Sequence, residues 1–369
     1  MRVVVAPDKF AGTLRAAEAA AAIREGWLRR SPADELVSAP MSDGGPGFID
    51  VLHAVRGGEL LAVTVAGPHH DPTPATVLLE GRTAFIESAQ ACGLHLVPQA
   101  GRDPEGAATV GVGELVAAAV AAGAKRIVVG LGGSGTNDAG AGFLWALGAR
   151  ADADLRSGAR GLSGVTRVDL GATRQRMSGV ELVAATDVDN GLLGMFGATK
   201  VYGPQKGLPQ ERVADVDASL GSFAAATLGP GVQQRRLADA AGAGAAGGLG
   251  FALLLLGASL QPGVELVAKA VGLLPAARGA DLVVTGEGAF DVSSRAGKVV
   301  AGVAAVAAEA VRPCIVLAGE VLMGAREMRT IGVESAYAMV DLVGRERALA
   351  DPADSLAVLA ERAARTWSH

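Results

Sequence analysis

Carboxylates, hydroxyls and lysines in this 369-residue chain gather where β-branched apolar runs empty into glycine-rich loops. The richest such stretch is Ile127 to Gly142, IVVGLGGSGTNDAGAG. Glycines at 130, 132, 133 and 135 allow positive φ and close approach of a ligand, so successive N–H groups can point at an anion. Ser134, Thr136 and Asn137 add neutral donors beside Gly132 and Gly133. Asp138 places a carboxylate where a helix should begin, either favouring the helix dipole or reaching a cation held on a phosphate. Further on, in TDVDNGL, Asp187 and Asp189 alternate about Val188. Two carboxylates on one side of an extended segment suit Mg²⁺ or the activation of a hydroxyl nucleophile. The plainer role for the pair is an Asx turn that caps a helix.

Other strand ends repeat the pattern. Asp8 and Lys9 follow the first β-branched run, and Asp43, Gly44 and Gly45 follow the second in MSDGGPGF. Glu287 and Asp291 stand in GEGAFDVSSRAGK, which ends at Lys298. Only six of the 33 basic residues are lysines, which makes each conspicuous. Lys206 sits between Pro204 and Gly207 just ahead of a helix start, where a lysine can serve a phosphate. A small organic acid would need a cationic pocket, for which Lys9, Lys206, Arg295 and Lys298 are the candidates. Glu87 at a strand end reads as a capping or solvated carboxylate. The adjacent His69 and His70 point in different directions and lack a third ligand. GAGAAGGLG from Gly242 reads as glycine packing at a helix start.

Each cluster needs a strand behind it and a helix ahead. Strands are expected at Arg2 to Pro7, Glu35 to Ala39, Glu59 to Ala66, Ala75 to Leu79, Thr83 to Ser88, Val180 to Thr186, Ala280 to Thr285, Cys314 to Ala318 and Ala336 to Val340. Helices are expected at Leu14 to Arg30, Ile49 to Val55, Gly113 to Gly123, Ala141 to Leu147 and Pro352 to Trp367. In open α/β sheets, ligands gather at the carboxyl ends of strands, so these acids belong on a rim. The late strands resemble the first two. A doubly wound, Rossmann-like parallel sheet from residues 1–66 plus 275–369 is therefore expected, with a second α/β domain, 67–274, inserted into it.

Composition narrows the classes. The length suggests two domains. Half the residues are apolar, only 4% are aromatic, and the 52 glycines are about twice the usual share of roughly 7%. A net charge of −5, with no Lys/Arg block, argues against a nucleic-acid partner. Cys92 and Cys314 lack metal or redox spacing and read as buried thiols. The N-terminus reaches Pro7 and Asp8 too soon for a signal segment, so a cytoplasmic protein is expected. The uncharged stretch Ala240 to Val264 reads as a buried helix after a glycine-rich turn, with no membrane span.

Gly130, Gly132 and Gly135 satisfy G-x-G-x-x-G, with Asp152 or Asp154 at a distance that suits a ribose hydroxyl. A nicotinamide-dependent oxidoreductase is thus a rival, and an anion- or nucleotide-sensing module is a second. The spacing recurs at Gly242, Gly244 and Gly247, however, and specifies little in so glycine-rich a chain. The P-loop pattern fails because Thr136 and Asn137 stand where Lys and Ser/Thr are required. Five acid-bearing strand ends exceed what hydride transfer needs. They suit phosphoryl transfer, which needs positioning, a bridging cation and one base.

Taken together, VVVAPDKFAGTL, MSDGGPGF, VVGLGGSGTNDAGAGFLWALGA, ATDVDNGLLG, YGPQKG, GAGAAGGLGFAL and ADLVVTGEGAFD resemble, in order and spacing, the motifs of bacterial type I glycerate kinases. The likeness covers essentially the whole chain. It implies two α/β domains with the active site in the cleft between them. It also implies ATP- and Mg²⁺-dependent phosphorylation of D-glycerate or a related hydroxy acid, in many members giving 2-phosphoglycerate; a homodimer is the assembly considered. By the resemblance, Gly132, Gly133, Ser134, Thr136, Asn137 and Lys206 would serve the nucleotide phosphates, with Asp138 and Asp189 on the metal. Asp187, Asp189, Lys9 and Asp8 would be catalytic, and Asp43, Gly44, Gly45, Glu287, Asp291 and Lys298 would face the substrate. Ala11, Pro46, Phe48, Ala289, Ser293 and Ser294 depart from the family pattern on the acceptor side.

Overall fold

The computed structural model describes residues 1–10, 12–229, 236–295 and 298–368. Ala11 and the side chains of Ser293 and Arg295 lie outside the described residues. In chain order the strands are β1 Arg2–Val5, β2 Glu35–Ser38, β3 Glu59–Ala66, β4 Pro72–Glu80, β5 Thr83–Glu87, β6 Arg126–Gly130, β7 Arg150–Ala151, β8 Val168–Asp169, β9 Glu181–Ala185, β10 Ser259–Gln261, β11 Leu282–Phe290, β12 Cys314–Val321 and β13 Ser335–Ala338. The chain divides into two compact units. One comprises Met1–Asp43, Asp50–Arg56 and Pro262–His369, and the other Gly44–Ile49 and Gly57–Gln261.

The terminal unit is built on a five-stranded parallel sheet in the order β13-β12-β11-β1-β2. Counted within the unit this is 2-1-3-4-5, the flavodoxin-like doubly wound order, whose switch point falls between its first and third strands. Here those strands are β1 and β11, paired from Val3 with Leu282 to Val5 with Val284. Their interiors are runs of valine and leucine with essentially no exposure, as strands covered on both faces require. Helices Ala16–Arg30 and Pro352–Trp367 cover one face. Gly26 lets them meet backbone to backbone, since a Cβ there would overlap the carbonyl of Ala357. Trp27 is fully buried between them and donates its indole N–H to Asp34 (2.9 Å).

The inserted unit has a six-stranded mixed sheet, β10-β9-β6-β5-β4-β3. β5, β6, β9 and β10 run parallel, while β4 turns back antiparallel to β5 and β3 antiparallel to β4. β3 therefore belongs to this sheet, where the sequence had grouped it with the terminal strands; its full length pairs with β4, from Glu59 opposite Leu79 to Ala66 opposite Pro72. At the other boundary, Val264 packs against Gly302 of helix Val299–Glu309, which places the segment after Gln261 with the terminal unit. Residues 245–248 open helix Ala245–Leu255 with Ala246, Gly247 and Gly248 at positive φ. This tight entry lets Gly247 lie against the carbonyl of Thr136. Among the described residues no helix is long and apolar enough to cross a membrane. Cys92 and Cys314 are buried free thiols.

Candidate active site

In the terminal unit, the acid-bearing ends of β1 and β11 flank the switch point. Asp8 lies just beyond β1, its N–H bonded to the carbonyl of Gly286 (2.8 Å), so the β1 exit is stitched to β11 beside Glu287. One Asp8 carboxylate oxygen accepts from the Lys9 N–H (2.7 Å) and faces its ammonium (3.4 Å). The same ammonium reaches Asp43 at 3.3 Å. Burial works against the charge of Lys9, yet Asp43 and Asp8 hold its ammonium above the ordinary lysine range. Burial pushes the Asp8 carboxyl up to about 6, with Lys9 opposing and Asp43 adding. Glu287 is 7% exposed, and burial pushes it up to about 7; the Ser294 hydroxyl and Lys298 oppose the shift, while Asp8 and Asp291 add to it. Ser294 also accepts from the N–H of Asp291 (3.2 Å). Asp8, Lys9 and Asp43, expected on one rim, form one electrostatic cluster with Glu287, Asp291 and Lys298.

Gly44 and Gly45 part from Asp43 and lie with the inserted unit. The Gly44 carbonyl accepts from Gly132 N–H at 3.4 Å, and Gly130 must be glycine because a Cβ there would overlap that carbonyl. Gly45 O receives the N–H of Phe48 (3.0 Å). Glu87, at the end of β5, takes the capping role of the two read for it and is not solvated. It is 5% exposed and accepts from the N–H groups of Gly47 (3.1 Å) and Ile49 (3.3 Å), capping the first turn of helix Phe48–Arg56.

The glycine loop after β6 corrects several expectations. Leu131, Gly132 and Gly135 spend their N–H groups on the carbonyls of Ala185, Gly44 and Cys92, so a run of free amides aimed at an anion is not what the loop provides. Only its tip is accessible: Gly132 is half-buried and Gly133, at φ +76°, is exposed. Ser134 lies just behind at 8% exposure, whereas Thr136 and Asn137 are fully enclosed. Asn137 gives its amide to Thr199 (3.0 Å).

Asp138 is not placed to hold a metal. It has no exposure, and its oxygens accept from the Thr109 N–H (2.9 Å) and hydroxyl (2.8 Å), Gly140 N–H (3.0 Å) and Gly142 N–H (3.1 Å). A cation would have to strip away this shell. Lys206 is likewise buried, and its ammonium donates to Ser134 Oγ (3.0 Å) and the Thr136 carbonyl (2.6 Å). It braces the glycine loop from behind, where the sequence had it as a phosphate ligand. Burial pulls its ammonium down to about 8.

Beyond β9, Asp187 is half-buried and Asp189 exposed, and the Thr186 hydroxyl fixes the turn by accepting from Val188 N–H (3.4 Å). The following loop is pinned: Tyr202 donates its hydroxyl to Asn190 (2.6 Å), which donates to the carbonyl of Phe196 (2.7 Å). Among the described residues no group of three or more His, Cys, Asp or Glu side chains could hold a metal ion. Two carboxylates remain a sufficient protein share for Mg²⁺, which keeps waters and takes phosphate oxygens for the rest. Sequence reasoning missed Thr109 and Ser88. Ser88 donates its hydroxyl to Gly130 O (2.6 Å), and neither residue carries a charge or a motif that would single it out.

A doubly wound α/β unit with a charged switch point, carrying an inserted α/β unit with a braced glycine loop, is the architecture of a small-ligand-binding α/β protein. The comparisons make the class specific. A family model described as the glycerate kinase family matches residues 3–368. A glycerate kinase of Bacillus subtilis is 38% identical, covering 92% of this chain and 90% of the relative, and the glycerate 2-kinase of Escherichia coli is 37% identical, covering 93% and 92%. A crystal structure from Salmonella typhimurium LT2, described as a glycerate kinase 2, superposes with a TM-score of 0.78 at 36% identity, covering 99% of this chain and 98% of that one. The chain belongs to the glycerate kinase family, and so is a kinase, a phosphotransferase acting on an alcohol group.

Proposed function

We propose that the chain transfers the γ-phosphoryl group of ATP, with Mg²⁺, to the 2-hydroxyl of D-glycerate. The observation that carries this reading is the part-buried Asp8–Lys9–Asp43 cluster with Glu287 at the β1/β11 switch point, where doubly wound sheets bind ligands. Lys9 and Lys298 are the cations for the glycerate carboxylate. Asp8 and Asp43 hold Lys9 in place. On the inserted unit, the exposed tip at Gly132 and Gly133, with Ser134, meets the nucleotide phosphates. Asp187 and Asp189 would hold Mg²⁺, which would supply positive charge against the negative charge that develops as the phosphoryl group moves. Thr136, Asn137, Asp138 and Lys206 support the loop without touching ligand.

The position phosphorylated rests on the likeness to the Escherichia coli glycerate 2-kinase. The test is ADP release by purified protein with ATP and Mg²⁺, with and without D-glycerate. Release that depends on D-glycerate is expected, and equal release in both mixtures would remove the substrate assignment.

A further inference from the structure

The cluster at the switch point contains several carboxylates, and they are not equivalent. Asp8 is bound through one oxygen to the N–H and ammonium of Lys9, and Asp43 shares the same ammonium. A carboxylate held by a cation is a weak base and is poorly placed to take a proton. Glu287 differs: the Ser294 hydroxyl and the Lys298 charge act on its carboxylate, but its Oε1 is buried and, among the described residues, meets no hydrogen-bond donor. A buried acceptor left unmade costs free energy, so its retention calls for a donor that arrives with a ligand.

We infer that Glu287 is the general base of the transfer, accepting the proton of the glycerate hydroxyl as that oxygen attacks phosphorus. This rests on the kinase reading above. Glu287 sits on β11 at the switch point, next to the exit of β1 that Gly286 O fixes through Asp8 N–H. The remaining exposure of its side chain and the soft terminal torsion of glutamate let the carboxyl turn toward a donor arriving at the sheet's carboxyl edge. In the step, the hydroxyl O–H bond breaks and its proton passes to Glu287. A bond forms from that oxygen to the γ-phosphorus, and the bond from phosphorus to the ADP oxygen breaks with its electron pair leaving on ADP. Glu287 then returns its proton to water as product departs.

The groups that face Glu287 are Asp8 from the β1 exit and Asp291, Ser294 and Lys298 from the loop after β11; Lys9 and Asp43 lie one contact further away. The two acids raise its proton affinity and Lys298 lowers it. A base poised near neutrality is what proton transfer at physiological pH favours.

The experiment is steady-state kinetics of the full chain with ATP, Mg²⁺ and D-glycerate, for wild type, Glu287→Gln and Glu287→Asp, with kcat and KM separated and kcat/KM followed against pH. Loss of a general base is expected to lower kcat of Glu287→Gln by about a hundredfold or more, leave KM for D-glycerate within about threefold, and abolish the acid limb of the profile. Glu287→Asp should keep that limb and lose less. A Glu287→Gln enzyme with near wild-type kcat, or a loss confined to KM, would overturn the assignment. So would a wild-type profile with no acid limb near about 7, a readout that needs no variant to fold. Wild-type protein that forms no phosphoglycerate would instead defeat the functional reading itself.

Discussion

Thr109 gives both its backbone N–H and its hydroxyl to a single oxygen of Asp138, at 2.9 and 2.8 Å, and the same hydroxyl accepts from Phe143 N–H at 2.9 Å. A residue ahead of helix Val110–Ala121 is thereby locked to the loop after β6 and to the first turns of helix Ala141–Ala146. The carboxylate organises backbone, and its value is structural.

Asp138→Asn should therefore destabilise the fold whether or not ligand is present. The amide presents an NH₂ to donors that need an acceptor, which costs about 2–4 kcal/mol at a fully buried site. Calorimetry should show the melting temperature falling by several degrees in ligand-free protein. An unchanged melting curve with lost activity would return Asp138 to the metal.

Lys206 gives a pH-dependent signature. Its folded-state proton affinity is depressed to about 8 from 10.5 by burial. Between those values the unfolded chain binds more protons than the folded one, so this residue's contribution to stability rises with pH through that window and its penalty is full below it. Chemical denaturation of wild type and Lys206→Met at a series of pH values should show their difference moving toward wild type by up to about 1.4 kcal/mol per pH unit above about 8. A difference that does not change with pH would mean that the ammonium is not desolvated as its burial indicates.

Asp189 tests the cation. Asp189→Asn should raise the Mg²⁺ concentration needed for half-maximal turnover by at least about tenfold, because the site draws on only two protein carboxylates. Since Asp189 is exposed, thermal stability should be unchanged. Equal Mg²⁺ dependence in wild type and variant would move the metal away from this loop.

The strand-loop-helix rhythm made the architecture legible. Valine runs before Asp8, Gly130 and Gly286 became parallel strands, and helix Pro352–Trp367 has the bounds read from its pattern. The domain edges were less legible, because β3 reads like any alternating strand and only its eight-residue pairing with β4 assigns it. For the site, the residue types were visible but their depth was not. Asp138 and Lys206 carry charge in a ligand-like loop, and no sequence signal announces that Thr109, Gly140 and Gly142 consume one and Ser134 the other. Conversely, the capping role read for Glu87 holds, but which helix it caps was not legible, because Gly47 and Ile49 lie about forty positions earlier and offer only backbone.

The most direct test is the ³¹P NMR spectrum of purified protein incubated with ATP, Mg²⁺ and D-glycerate. The expected result is ADP and 2-phosphoglycerate appearing together in equal amounts. A spectrum showing 3-phosphoglycerate would contradict the acceptor position, and one in which ATP is no more consumed than in a protein-free control would contradict the reaction.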